Sequence, residues 1–271
     1  MSEPTLLQLS GLPRSGSTLL ASMLSQHPDI HVEGTSALCD LLNGVCGVCD
    51  TPSLGYDNLH ASGRYKEVKR KSVQSIYSSY YGDVQKKFVL DRSRGWSHIN
   101  NLDIVRDYVN PNPKTIVLIR PIDEIVSSFS ALLLRAGEDH NIYDELLESN
   151  TVPIMVPYNF VRIAAFSRDP AYLFLTYKEL VENTTETLDK VFYHFGLPPA
   201  EIDFGHLSNF SVEDESVYRY ENLHTLRDGI SYRKNPIILP QHVKDQCEKL
   251  TVELFMDLPS SGATTDNEEI A

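Results

Sequence analysis

The chain is poor in the residues that staple small secreted or metal-bound folds. Four cysteines in 271 residues are far too few for a disulfide scaffold. Cys46-x-x-Cys49, with Cys39 nearby, has no second CxxC or His pair to complete a zinc set, and Cys247 is far away in sequence. The four read as buried or loop thiols in a reducing compartment. Positive charge is also scarce: 24 Lys and Arg stand against 37 Asp and Glu, a net charge of −13. Such a surface repels phosphate backbones and anionic lipid, so neither a nucleic acid nor a membrane is expected as a partner. Any anion must be held locally, by backbone amides and a few Arg. No apolar run approaches the ~20 residues of a membrane span, and Met1-Ser2-Glu3-Pro4 has neither the basic nor the apolar region of a secretory leader. A cytoplasmic chain is expected.

What is present is an alternation of strands and helices. Thr5-Leu6-Leu7-Gln8-Leu9 is a short apolar strand run, closed by Ser10-Gly11-Leu12-Pro13. Leu19, Leu20, Met23 and Leu24 then recur at helical spacing until Pro28. A helix is predicted from about Tyr65 to Tyr81, and a second strand over Lys87–Asp91, ending in a carboxylate. Thr115–Ile119 is a continuous apolar run of the kind buried on both faces. Pro121 follows at a first helical position, with Ile125, Val126, Phe129 and Leu132 continuing the helix. Ala171–Thr176 is another strand, and Leu188, Val191, Phe192 and Phe195 mark a helix stopped by Gly196. The alternation predicts an α/β fold, a P-loop-like central parallel sheet with helices on both faces, in a single domain over residues 1–257. Residues 258–271 are small, polar and acidic, and are expected to form a disordered tail.

The strongest local signal is the turn Gly11-Leu12-Pro13-Arg14-Ser15-Gly16-Ser17-Thr18 between a strand and a helix. Such a turn leaves several amides pointing one way with the positive end of a helix behind them, which makes an anion cradle. The spacing Gly-x4-Gly-x-Thr matches a nucleotide-triphosphate loop at three positions, but Ser17 stands where that motif requires Lys. Arg14, inside the loop, is the cation instead.

Pro13-Arg14-Ser15-Gly16-Ser17-Thr18-Leu19-Leu20 resembles the 5′-phosphosulfate loop of sulfotransferases that use 3′-phosphoadenosine 5′-phosphosulfate (PAPS). With Arg in the loop and Gln26-His27-Pro28-Asp29 after it, the chain is most similar to the branch of tyrosylprotein sulfotransferases and bacterial relatives. A second match is Arg120 at a strand end with Ser128 eight positions later, the spacing at which that family holds the 3′-phosphate. An Arg fork and a helix hydroxyl near the positive helix end suit a phosphate in their own right. Leu173–Leu180 is similar to the family's strand that ends in the adenine-contacting Tyr, which places Tyr177 there, although Lys178 replaces the usual acidic residue. The resemblance therefore implies PAPS as cofactor, held by Arg14, Ser15, Gly16, Ser17, Thr18, Leu19, Arg120, Ser128 and Tyr177, with no metal required. The family's closing Arg-Lys-Gly segment, which also binds the cofactor, is matched only by Arg227-Asp228-Gly229 and by Arg233-Lys234, so Arg227 is the cofactor contact expected there.

The implied reaction is in-line transfer of a sulfuryl group to an acceptor hydroxyl, with Arg14 and the loop amides meeting the developing charge. A general base is needed, and Glu33, Asp91 and His98 are the candidates. In the tyrosylprotein branch a Glu lies shortly after His-Pro-Asp; an ungapped alignment puts Thr35 there, two residues beyond Glu33. Arg92, beside Asp91, is expected to lower its pKa and leave it as an orienting carboxylate. The acceptor is expected to be a small hydroxylated or phenolic molecule. Two other readings stand beside this one. A small-molecule kinase using Mg-ATP draws support from Phe88-Val89-Leu90-Asp91, an apolar run ending in a potential Mg²⁺ ligand. A nucleotide-binding protein without turnover would bind the product, adenosine 3′,5′-bisphosphate (PAP), and transfer nothing.

Overall fold

The computed structural model describes residues 3–51, 57–139, 141–208, 226, 230–232 and 237–259. Five strands form one parallel sheet: β1 (Thr5–Gly11), β2 (Ile30–Thr35), β3 (Phe88–Arg92), β4 (Thr115–Ile119) and β5 (Tyr172–Thr176). Their order is β2-β3-β1-β4-β5, so β1 is central and the chain builds one side of the sheet before crossing to the other. In such sheets, ligands bind at the carboxyl ends of the strands where the direction of winding reverses. The turn after β1 lies at that place.

The apolar runs are buried on both faces, with successive side chains pointing to opposite sides. Leu7 and Leu9 of β1, with Ile116 and Leu118 of β4, pack with Leu20 and Leu24 of α1 (Ser17–Leu24), Leu180 of α9 (Tyr177–Glu182) and Val191 of α10 (Thr184–Phe195). On the other face, Val117 and Ile119 meet α6 (Ile122–Ala136), α8 (Met155–Ser167) and α11 (Gln241–Asp257). Leu6 and Val89 meet α2 (Leu38–Asp50), α4 (Tyr65–Tyr81) and Trp96. Short helices α3 (Asp57–Ala61) and α7 (Tyr143–Leu146), α5 (Ile99–Tyr108) and a 3-10 turn at Arg94–Ser97 complete the described elements.

The expected α/β sheet with helices on both faces is present. α4 has the predicted bounds, and α10 ends just before Gly196 as expected. Pro121 sits one position earlier than expected, as the residue capping α6. The four cysteines are buried free thiols; Cys46 and Cys49 belong to the inward stripe of α2 with Leu38 and Leu42. Burial pushes the Cys46 thiol up to about 11 and that of Cys247 to about 12. The expected tail lies, from residue 260 onward, outside the described residues. Among the described residues, no helix is long and apolar enough to cross a membrane.

Candidate active site

The loop after β1 takes its shape from two left-handed residues. Gly11 approaches β4 so closely that a Cβ there would lie 2.1 Å from the Leu118 carbonyl oxygen. Arg14 has φ 58° and Gly16 φ 96°, bracketing the fully buried Ser15, whose hydroxyl donates to the Leu12 carbonyl and closes the turn. A non-glycine residue at positive φ is uncommon and persists only where its surroundings hold it. Gly16 caps α1 without a side-chain acceptor, and the first turn of α1 holds no acidic residue. Its first-turn amides, over Ser17, Thr18 and Leu19, therefore suit an anion, with no competing carboxylate on their own turn.

Three strand ends meet this loop. Arg120, just past β4, donates from Nη1 to the Arg14 carbonyl oxygen at 2.9 Å. Arg14 in turn donates from Nε to the Ser128 hydroxyl at 3.2 Å. Tyr177, just past β5, lies with its ring 4.3 Å from the Arg120 guanidinium carbon, and a Cβ on Gly16 would come within 2.8 Å of that ring. Residues separated by more than a hundred positions in the chain thus form one contiguous cluster. Ser128 differs from the expectation in one respect. It lies two turns into α6, beyond the first turn where the helix dipole acts, so its hydroxyl is set by Arg14 rather than by the helix end.

Arg120 is almost fully enclosed and is already ion-paired: its Nε donates to Glu124 Oε2 at 2.8 Å, and the two side chains are 7% and 11% exposed. The other Glu124 oxygen accepts the Tyr232 hydroxyl. Burial and then the Glu124 carboxylate push the Tyr232 phenol up, so it keeps the proton it donates. The Tyr232 ring also lies 6.0 Å from that of Tyr177.

On the β3 side the structure adds a cation that was not singled out in the sequence. Arg92, the last residue of β3, donates from Nη1 to Thr18 Oγ1 at 3.0 Å and from Nη2 to Thr35 Oγ1 at 3.3 Å, linking the loop helix to β2. Its signal was the one used for Arg120, a basic residue closing an apolar strand run; that β3 lies next to β1 gives it its meaning, and the sequence does not display that.

The three candidate bases sit in different surroundings. Asp91 is fully buried and accepts hydrogen bonds from Ser36 Oγ at 2.5 Å, Trp96 Nε1 at 2.6 Å and the Tyr81 hydroxyl. Its pKa is raised by burial, not lowered by Arg92, and its enclosed oxygens have no face from which to take an acceptor's proton. The same enclosure removes it as a Mg²⁺ ligand. His98 caps α5, accepting from the Asn100 amide at Nδ1, and its ring meets the edge of Phe160 on α8; burial lowers its pKa and keeps it neutral. Its contacts are with α5 and α8 rather than with the loop. Glu33 has a side chain 39% exposed on β2, 3.3 Å from His31 Nε2, and accepts the Gly34 amide. A bulge between Val32 and Thr35 places one extra residue in β2 against β3, a device that re-aims side chains at sheet edges. Arg227 and Arg233-Lys234 lie outside the described residues.

The sequence model of the sulfotransferase family matches residues 8–201. Among curated proteins, none matches the sequence. Three solved structures show the likeness of fold. A sulfotransferase domain from the curacin biosynthetic pathway is 17% identical, covering 95% of this chain and 99% of its own, with a TM-score of 0.59. A sulfotransferase from Alicyclobacillus acidocaldarius is 12% identical, covering 95% of each chain, with a TM-score of 0.56. Mouse sulfotransferase SULT7A1, complexed with PAP, is 15% identical, covering 92% of this chain and 84% of its own, with a TM-score of 0.51. With its strand-end loop, its parallel sheet and a family match across most of its length, the chain belongs to the sulfotransferase family.

Proposed function

We propose that the protein transfers the sulfuryl group of PAPS to the hydroxyl of a small, most readily phenolic, acceptor. The observation that carries this reading is the convergence of the β1 loop with the β4 strand end, through the Arg120–Arg14 and Arg14–Ser128 hydrogen bonds. Two cationic groups, a helix N-terminus and a hydroxyl share one cluster, as a ligand with phosphates on both the 3′ and 5′ positions of one ribose requires. The residues fit such a ligand: Gly11 and Gly16 let the loop lie close against Leu118 and Tyr177, and the helix that follows carries no acidic residue in its first turn. The PAP bound in the mouse relative supports the same cofactor class.

PAPS, when bound, supplies an electrophilic sulfuryl group on a phosphate leaving group. Arg14 and the amides of Ser15, Gly16, Ser17, Thr18 and Leu19 hold the 5′ end and offset the charge that develops there; one preorganised donor of this kind is worth ~2.7–4 kcal/mol. Arg92, anchored to Thr18, brings a second cation to the same end. Arg120 and Ser128 hold the 3′-phosphate, and Tyr177 walls the adenosine side. These fixed donors supply the positive charge of the step, so no metal is invoked. Glu33 takes the acceptor proton, oriented by His31, since Asp91 is enclosed and His98 is committed to capping. A phenol, with an ordinary pKa near ~10, gives up that proton far more easily than an aliphatic alcohol. The partner is a small molecule rather than a nucleic acid or a membrane, and the four reduced, buried thiols fit a cytoplasmic location.

The test is a PAPS-dependent transfer screen over phenols, tyrosine peptides and sugars, with Mg-ATP in parallel. Sulfation of a phenol is expected. Phosphoryl transfer from Mg-ATP without any response to PAPS would contradict the reading, and PAP binding without transfer to any acceptor would favour a non-catalytic binder.

A further inference from the structure

The guanidinium of Arg120 can grip a phosphate through either of two forks, Nη1 with Nη2 or Nε with Nη2. Both are engaged. Nη1 is given to the Arg14 carbonyl, and Nε to Glu124. One guanidinium face is covered by the Tyr177 ring. The two engagements are not equivalent. The Arg14 carbonyl is backbone of a loop whose left-handed turn and closing Ser15 bond hold it in place, whereas Glu124 engages through a side chain, which can leave by rotation about its own bonds once its contacts with Arg120 and Tyr232 are exchanged. Glu124 also lies one helical turn before Ser128, on the same face of α6. Its carboxylate therefore lies on the Nε–Nη2 fork that a phosphate seated between Arg120 and Ser128 would use.

We propose that Glu124 is an internal occupant of the 3′-phosphate seat. Binding of the cofactor exchanges its carboxylate for the phosphate on Arg120, and the exchange releases the Tyr232 hydroxyl that Glu124 now holds. The proposal rests on the cofactor reading above. In the empty protein the carboxylate neutralises an Arg that is otherwise buried, which would be costly to leave unpaired. In the bound protein a retained carboxylate would face the phosphate as a like charge. Glu124 thus sets how strongly the site rewards a 3′-phosphate over a ligand without one, and Tyr232 adds a hydroxyl bond that must break before the exchange.

The experiment is calorimetric titration of the parent, Glu124→Gln and Tyr232→Phe with PAP and, separately, with AMP, which lacks the 3′-phosphate. The neutral Gln yields the seat without like-charge repulsion, so Glu124→Gln is expected to bind PAP about tenfold more tightly with AMP affinity within twofold of the parent. Tyr232→Phe, which keeps the ion pair, is expected to gain two- to threefold for PAP alone. If Glu124→Gln is too unstable to titrate, the Tyr232→Phe gain decides. Unchanged or weakened PAP binding in the variants would overturn the exchange and make Glu124 a positioning residue for Arg120. An equal gain for PAP and AMP would overturn it too. A parent that binds no PAP at all overturns the cofactor reading and the exchange with it, an outcome distinct from a parent that binds while its variants gain nothing.

Discussion

On the β1–β4–β5 side of the loop, the groups proposed to meet the cofactor hold one another: Arg120 on Arg14, Arg14 on Ser128, Tyr177 on Arg120. On the β3–β2 side, the group that ties the segments together is fully enclosed. The enclosed carboxylate of Asp91 binds Ser36 after β2, Tyr81 of α4 and Trp96 of the 3-10 turn, and so ties three neighbouring segments to the end of β3. From there Arg92 reaches the loop helix, pinned by threonines of α1 and β2, while Glu33 is half-exposed on the edge strand beside His31. Under the proposed reading, the first side is the cofactor side, preassembled by its own recognition groups, and the second is the acceptor side, a scaffold with Glu33 on its rim. Changes on the first side should therefore read out as affinity, and changes on the second as turnover or stability.

The largest separation is expected from Glu33→Gln. Loss of a general base costs ~10²–10⁴-fold in turnover, while PAP affinity by calorimetry should stay within twofold; a matching loss of affinity would erase the distinction between the sides. Next comes Arg120→Lys, which keeps the charge but loses the fork and its stacking on Tyr177. PAP binding should weaken by about 10–100-fold, with turnover at saturating PAPS nearly unchanged. Asp91→Asn places an amide donor among three donors, and a buried mismatch of this kind costs about 1–3 kcal/mol. Urea unfolding should show that loss with PAP affinity little altered, and a variant as stable as the parent would remove Asp91 from its tying role. The smallest effect is that of Tyr177→Leu. Losing a partly buried cation–π contact, worth ~0.5–2 kcal/mol, should weaken PAP binding by about three- to tenfold.

The same contrast decides what the sequence discloses. The loop and Arg120 are local patterns, an apolar run followed at once by glycine, arginine or serine at fixed spacing, and they are legible without knowing which strands are neighbours. Arg92 ends an apolar run in the same way, but its importance comes from the placement of β3 beside β1, a consequence of the crossover connections. Glu124 reads as an ordinary first-turn acid of a helix, and its enclosed pairing with Arg120, together with the Tyr232 hydroxyl, shows only in the fold. Asp91 was read from its neighbour in sequence, Arg92, whereas its environment is set by residues from Ser36 to Trp96 that the fold brings around it. Among the helices, α2 was hidden because its inward stripe uses Cys46 and Cys49 beside Leu38 and Leu42, and cysteines at that spacing draw the eye to metal chemistry. In α11 the stripe of Val243, Cys247 and Leu254 is blurred by exposed Val252, Phe255 and Met256.

The central claim is that Arg14 and Arg120 serve one ligand. Calorimetric titration with PAP, in the parent and in Arg14→Ala and Arg120→Ala, tests it most directly. The account predicts one site per chain in the parent and at least a tenfold loss of affinity in each variant. A parent that gives no heat, or two variants that bind as the parent does, would contradict it.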